Sequence, residues 1–328
     1  MGTMTEPTQI EGRGKADLDR YGALQLGLWS LRAGPALILV LLIVIVGLTT
    51  PVFLTSRNVG NVFSQTSVIA VVALGQLLVI VSRGIDLSVG ATIALSGVVG
   101  AIVYEDTGSS ALTVAAILGT GLAVGAVNGL IFVYGRVPHP FIVTLATLSI
   151  VRGIALWASD GTLVSGMPPI VQTIGGGSIN WLPYSIFVVI ALALLCLILT
   201  TRMVWGRWLY AVGGNPEAAR RASIPTRRVL VTVYVLSGLA AGVGGLITAG
   251  LIDGGSPTAG DLAELDSIAA VIIGGAAFAG GRCGSLLVEK TENIHAALRP
   301  KILPKMFLFS SGIAIGTTSP ASRRAASK

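Results

Sequence analysis

Stretches of roughly twenty apolar residues without an ionisable side chain recur along this chain, as at 111 to 134, 183 to 201 and 229 to 252. An α-helix needs about 20 such residues to cross roughly 30 Å of hydrocarbon, and backbone groups left unpaired in lipid are costly. Runs of this kind therefore dictate spans. Further runs at 36 to 54, 67 to 82, 89 to 104, 141 to 158 and 268 to 281 raise the expected number to about eight. The second, third and eighth are short, which suits tilted, re-entrant or broken helices lined by protein. Only 11% of residues are charged and 53% are hydrophobic, whereas soluble domains carry about a quarter charged residues. The expected fold class is all-α, a polytopic transmembrane helical bundle.

Lys and Arg collect on the cytoplasmic side of spans, so the net charge of +7 follows from membrane topology and is no sign of nucleic acid. With the N-terminal tail inside, the loop 202 to 228 falls inside and holds Arg202, Arg207, Arg220, Arg221, Arg227 and Arg228. The loops 159 to 182 and 253 to 267 fall outside and contain no Lys or Arg. Arg83 and Arg136 lie in short inside loops, and Arg57 is the one mild exception. Residues 1 to 35 mix acidic and basic side chains without an apolar core, so no cleavable signal is expected there. Cys196 and Cys283 are not placed as a pair, and a disulfide or metal site is not expected from them.

Several side chains stand out within this pattern. Gly121, Gly125 and Gly129 repeat every four residues, as do Gly238 and Gly242, a spacing that lets helices approach closely in lipid. Gln76, Asn128 and Arg152 interrupt apolar runs. Gln76 and Asn128 fit either interhelical hydrogen bonds or a polar solute path, and Arg152 fits either a path or a snorkelling site near a helix end. Asp86 stands where a turn enters a short helix, with Ser88 as a candidate cap; it reads either as a carboxylate on a helix dipole or as part of a gate.

The chain lacks a nucleotide-binding loop. Its nearest string, Gly12-Arg13-Gly14-Lys15-Ala16, has neither the upstream Gly nor the Ser or Thr after Lys. His139 and His295 are the only histidines and have no cluster of ligands, so neither a metal centre nor a catalytic triad is expected. The loop from Gly206 to Pro225 is more informative. Asn215 fits an N-cap, Pro216 the first helical position, and Glu217 the favourable end of the helix dipole. A short helix from about 216 to 223 follows, with Ala218, Ala219 and Ala222 small enough to sit against another surface. Composition alone also allows a plain basic loop that happens to be helical.

The string Gly213-Gly214-Asn215-Pro216-Glu217-Ala218-Ala219-Arg220 resembles the coupling-loop signature of permease subunits of ribose-, xylose- and arabinose-type ABC importers. Ser82-Arg83-Gly84-Ile85-Asp86-Leu87-Ser88-Val89-Gly90 is similar to that family's Gly-Gly-Ile-Asp-Leu-Ser-Val-Gly element. Asp266 to Gly275, with Gly280-Gly281-Arg282 after it, is similar to its late Gly-rich element. The resemblance covers roughly 36 to 282. It implies a permease in the cytoplasmic (inner) membrane that moves a monosaccharide by alternating access. It further implies two cytoplasmic ATPase subunits that bind ATP, a periplasmic or lipid-anchored sugar-binding protein, and a second permease copy or paralogue. Gly213, Asn215, Pro216, Glu217, Ala218, Ala219, Arg220 and Ser223 would form the ATPase-coupling helix. Gln76, Asp86, Ser88, Asn128 and Arg152 are the candidates for path or gate. No cofactor and no catalytic residue is expected in the chain itself.

Two departures stand against the resemblance. Ser223 occupies the place of a glycine after the coupling alanines. Beyond Arg282 the family pattern of about ten spans continues with two more, whereas residues 286 to 305 carry Glu289, Lys290, Glu292, His295, Arg299, Lys301 and Lys305. Each central charge costs about 2.5–3.5 kcal/mol in lipid. An altered reading frame near codon 283 or an authentic divergent tail both account for this. The expected organisation is a cytoplasmic tail at 1–35, a transmembrane permease unit at 36–282 and an atypical polar tail at 283–328. The competing class is an ion-coupled secondary transporter, which would want carboxylates or paired broken helices inside the membrane. The spans read here hold no such carboxylate.

Overall fold

The computed structural model describes residues 37–276 and 280–281. The tails 1–35 and 283–328, with Cys283, His295 and the preceding Arg282, lie outside the described residues. Six helices among the described residues are long and apolar enough to cross a membrane. They are α2 (Ser56–Val81), α3 (Val89–Thr107), α4 (Ser110–Tyr134), α5 (Pro140–Ala158), α7 (Tyr184–Thr201) and α10 (Thr226–Ile252). A shorter apolar helix, α1 (Leu37–Thr49), precedes them. Between α5 and α7 lie β1 (Val164–Ser165), α6 (Pro169–Gly176), β2 (Ser178–Ile179) and β3 (Leu182–Pro183). After α7 come α8 (Val204–Gly214) and α9 (Pro216–Arg221); after α10 come β4 (Gly254–Gly255) and α11 (Ala263–Ile273). The chain is a polytopic helical bundle, as its apolar runs require.

Helix starts follow local chemistry. The side chains of Thr55 and Ser109 accept from the N–H groups of Asn58 and Leu112, satisfying donors that a helix start leaves unpaired. Pro140 opens α5 and Pro169 opens α6, where the missing N–H costs nothing. The second run turns out not to be short. Its apolar part, 67 to 82, is the inner portion of the 26-residue α2, whose first turns are diluted by Arg57, Asn58, Asn61, Ser64 and Gln65.

Helix α10 is the axis of the bundle and packs against α2, α3, α4 and α6. Its contact with α4 is backbone on backbone. Gly121 lies against Gly238 and Gly242, Gly125 against Gly238 and Tyr234, and Gly129 against Val231. Numbers fall along α10 as they rise along α4, so the pair is antiparallel. On another face, a Cβ built on Gly75 of α2 would lie 2.8 Å from the Ala240 Cβ. Helix α7, by contrast, exposes Leu194 (54%) and Leu195 (59%), an outer surface for lipid.

Two connections enter the bundle as non-helical chain. Residues 82 to 88 turn back from the end of α2, and Asp86 reaches Ser237 of α10, eleven residues from the start of that helix, or about 16 Å along it. The connection 253 to 262, the first part of the loop expected outside at 253 to 267, folds inward from the other end of α10. Gly255 of β4 pairs with Val164 of β1 and packs on Gly97 and Val98 of α3; Gly260 then packs on Ile93 and Gly90. Helix α11 starts there and has only eleven residues. The eighth run, 268 to 281, which was expected to be short or broken, begins inside this half-length helix, which ends at Ile273. Irregular backbone at membrane depth survives where protein satisfies it, and here α3, α5 and α10 do so.

The glycine seam yields a test. Gly238→Leu drives a side chain into the Gly121 and Gly125 backbone, an overpacking expected to cost about 1–3 kcal/mol or more and to lower the thermal aggregation midpoint of the purified protein. Gly119→Leu on the same α4, where nothing lies within 4 Å of the glycine, leaves that midpoint within error of the parent.

Candidate functional site

The hairpin formed by α8 and α9 carries the expected coupling residues. Asn215 takes extended backbone, φ −154° and ψ 101°, and its Oδ1 accepts from the N–H groups of Glu217 (3.1 Å) and Ala218 (3.0 Å). The cap and Pro216 together set the axis of α9. This helix is shorter than expected, ending at Arg221 and not near 223, because Ala222 and Ser223 close it. Ser223 has φ +59°, the left-handed conformation in which glycine is the usual occupant. The glycine that Ser223 displaces in the resemblance is thereby explained by backbone geometry.

Ala219 points inward and is 4% exposed, packed in a cluster with Leu209, Val212, Val229 and Val233. It belongs to the seat of the helix, so only Ala218 and Ala222 of the three alanines remain on the exposed face. Glu217 pairs with Arg220 and, at 3.5 Å, with Arg221. These are exposed pairs and contribute little to stability.

Beneath the hairpin, Arg83 joins it to the turn after α2. Its Nε and Nη2 donate to the carbonyls of Gly213 and Gly214, a planar fork that matches two neighbouring acceptors. Gly213 is buried and presses on the Val81 carbonyl, leaving no room for a Cβ. The Gly281 N–H donates to Val81 O at 2.9 Å, bringing a third piece of chain to the same junction. Arg83 itself has φ +68°. Sequence reasoning counted it only as a topology marker, although it stands where the resembled string has glycine.

Four of the five path or gate candidates gather in one buried network. Asp86 Oδ1 accepts from the Ser88 N–H (3.0 Å) and Ser88 Oγ (2.7 Å), and Oδ2 accepts from Ser237 Oγ (2.9 Å). Asn128 Nδ2 donates to Ser88 Oγ at 2.7 Å. The Gln76 amide, oriented to satisfy both of its ends, donates to Asp86 O and accepts from Asp86 N, each at 3.2 Å. None of the four is more than 1% exposed. Ser88 occupies the cap position of α3 but makes no side-chain cap bond; its hydroxyl serves Asp86 instead. Ser237 was not anticipated, since one serine in an apolar helix carries no distinguishing signal.

Arg152 stands apart and does not snorkel to a helix end. Its Nη1 donates to Pro257 O (2.7 Å) and Ala259 O (2.9 Å), and its Nη2 pairs with Asp261 at 2.6 Å. It therefore anchors the inward-folded connection to α5. Carboxylates enter the bundle through such connections, which is why a scan of apolar runs finds none.

A family model described as "Branched-chain amino acid transport system / permease component" matches residues 58–311, running past position 282, where the resemblance was expected to end. The "Ribose import permease protein" of Escherichia coli (strain K12) is 38% identical over 260 residues, 77% of this chain and 80% of that protein. The "D-allose transport system permease protein" of the same strain is 37% identical over 252 residues, 76% and 77% respectively. The "L-arabinose ABC transporter permease protein" of Azospirillum brasilense is 35% identical over 257 residues, 78% and 76%. No solved structure matches the chain. Matched over this share of its length, and with its capped hairpin in place, the chain belongs to this permease-component family, alongside these sugar-import permeases.

Proposed function

We propose that the chain is the membrane permease subunit of an ABC importer that brings a monosaccharide across the cytoplasmic membrane by alternating access. The observation that carries the reading is α9. It is a short helix with a polar exposed face, its axis fixed by Asn215 and Pro216 and its inner side seated through Ala219. Such an element suits a rigid handle for an external motor. In this reading ATP is bound by two partner ATPase subunits, and the chain hydrolyses none itself. A sugar-binding protein delivers the solute and a second permease copy or paralogue completes the pore. The N-terminus and the hairpin lie on the cytoplasmic side, and residues 36–282 form the transmembrane unit.

The buried network gives the reading a route inward. Arg83 ties the hairpin to residues 82 to 84, and the same connection continues to Asp86, held by Gln76, Ser88 and Ser237. A displacement of α9 thereby reaches the broken element between α2 and α3, which we place beside the gate. Uptake into vesicles separates this reading from an ion-coupled carrier: import here requires ATP and the partner ATPase and persists when ion gradients are collapsed.

Three outcomes are expected. A thiol introduced by Ala222→Cys in a cysteine-free background is shielded from impermeant reagent in intact cells and labelled in inverted vesicles; labelling of intact cells overturns the reading. Ala218→Trp on the exposed face of α9 removes ATP-driven uptake while the yield and thermal midpoint of the purified subunit stay at parental values. Arg83→Gly relieves a left-handed residue, worth about 1 kcal/mol or slightly more, yet removes the fork to Gly213 and Gly214. These two effects oppose each other, so the variant's thermal midpoint is expected to stay close to the parent's while it imports less sugar per ATP hydrolysed.

A further inference from the structure

The inward-folded connection brings charge to a depth at which lipid tolerates little of it. Gly260 packs on Ile93, and Ile93 on Gly245, which lies seven residues before the last residue of α10, Ile252. Asp261 thus begins about 10 Å in from that end of the bundle, and Glu264 lies deeper, against Gly90 in the first turn of α3. Asp261 nevertheless keeps its side chain 61% exposed. Its neighbours Leu262 (62%) and Leu265 (55%) are open on the same stretch. A charge facing hydrocarbon at this depth is strongly disfavoured and normally turns to a bundle interior or a water-filled cavity. Arg152 neutralises Asp261 from one side only and leaves its outer side uncovered. By comparison, the open surface of α7 is apolar.

We infer that the face formed by residues 261 to 265 borders a water-filled solute path, and that Asp261 receives hydroxyl groups of a neutral polyol there. The inference deepens the importer reading and rests on it. Arg152 holds Oδ1 of Asp261, while a carboxylate has acceptor sites on both oxygens and can take two hydroxyl hydrogens. Leu262 and Leu265 offer an apolar flank to the C–H side of a sugar ring. Arg152 is the positioning residue: its donors go to Pro257 O, Ala259 O and Asp261, which fixes the connection without touching solute.

Thiol accessibility in the assembled importer, reconstituted in lipid vesicles, tests this. In a background with Cys196→Ala and Cys283→Ala, Leu262→Cys leaves the Arg152–Asp261 pair intact, Asp261→Cys probes the charged position itself, and Leu194→Cys on α7 is the lipid-facing reference. An anionic methanethiosulfonate is expected to modify the first two about tenfold or more faster than the third, since a thiol in apolar surroundings is held in its unreactive protonated form. Modification of Leu262→Cys stops uptake, and millimolar ribose slows it. Asp261→Asn, which keeps one acceptor, retains more uptake than Asp261→Leu at equal ATPase activity. If Leu262→Cys is as inert as Leu194→Cys, or joins a second copy by a disulfide while refusing the reagent, the face is dry and the inference falls, even where ATP-driven sugar uptake shows that the importer reading stands. If the thiols react but uptake is independent of ATP, the importer reading falls while the wet face remains.

Discussion

Close contact between the backbones of α4 and α10 is the constraint on which the rest of the bundle depends. Between helices surrounded by lipid there is no hydrophobic gain from leaving water, so association rests on dispersion and on how closely the backbones approach. Gly121, Gly125, Gly238 and Gly242 supply that proximity. Once α10 is seated, its other faces take α2, α3 and α6. The polar side chains it carries, Ser237 above all, are thereby delivered to the interior.

That interior has the task of satisfying chain that is neither helix nor sheet. The connection through Asp86 is paired by Gln76 along its backbone and by Ser88 and Ser237 at its carboxylate. The connection through Asp261 is held by Arg152 at two carbonyls and one carboxylate. Each is a buried or part-buried polar constellation whose members would be expensive if left alone. Polar residues that look misplaced within apolar runs are therefore the counterparts of the broken elements. Gln76 and Asn128 serve one connection and Arg152 the other.

Much of this was legible in the residues, for definable reasons. Long apolar runs specify α4, α7 and α10 because a span has a fixed length, and the Asn-Pro-Glu string specifies the start of α9 because caps act over three residues. Four-residue glycine spacing marked the seam, though not which helices share it, since pairing is a matter of three dimensions. It was not legible that part of the loop expected outside at 253 to 267 folds inward. Its Gly, Ser, Pro and Asp are those of any loop, and only its packing on α3 distinguishes it. Arg83 was missed because a basic residue at a span end already has an ordinary explanation. Its left-handed backbone and its fork to two carbonyls are invisible to hydropathy. Ser237 and Asp261 were missed in the same way, since neither lies in a pattern with a period.

The three-way junction at Val81, Gly213 and Gly281 carries a practical consequence. Because the turn after α2, the end of α8 and the chain leaving α11 are bonded or packed directly against one another, they are poorly suited to moving separately. An antibody fragment or small cyclic peptide that grips α9 from the solvent side would immobilise all three at once. Because it would occupy the face proposed for the ATPase, such a binder is a rational choice for trapping one conformation of the isolated subunit for imaging.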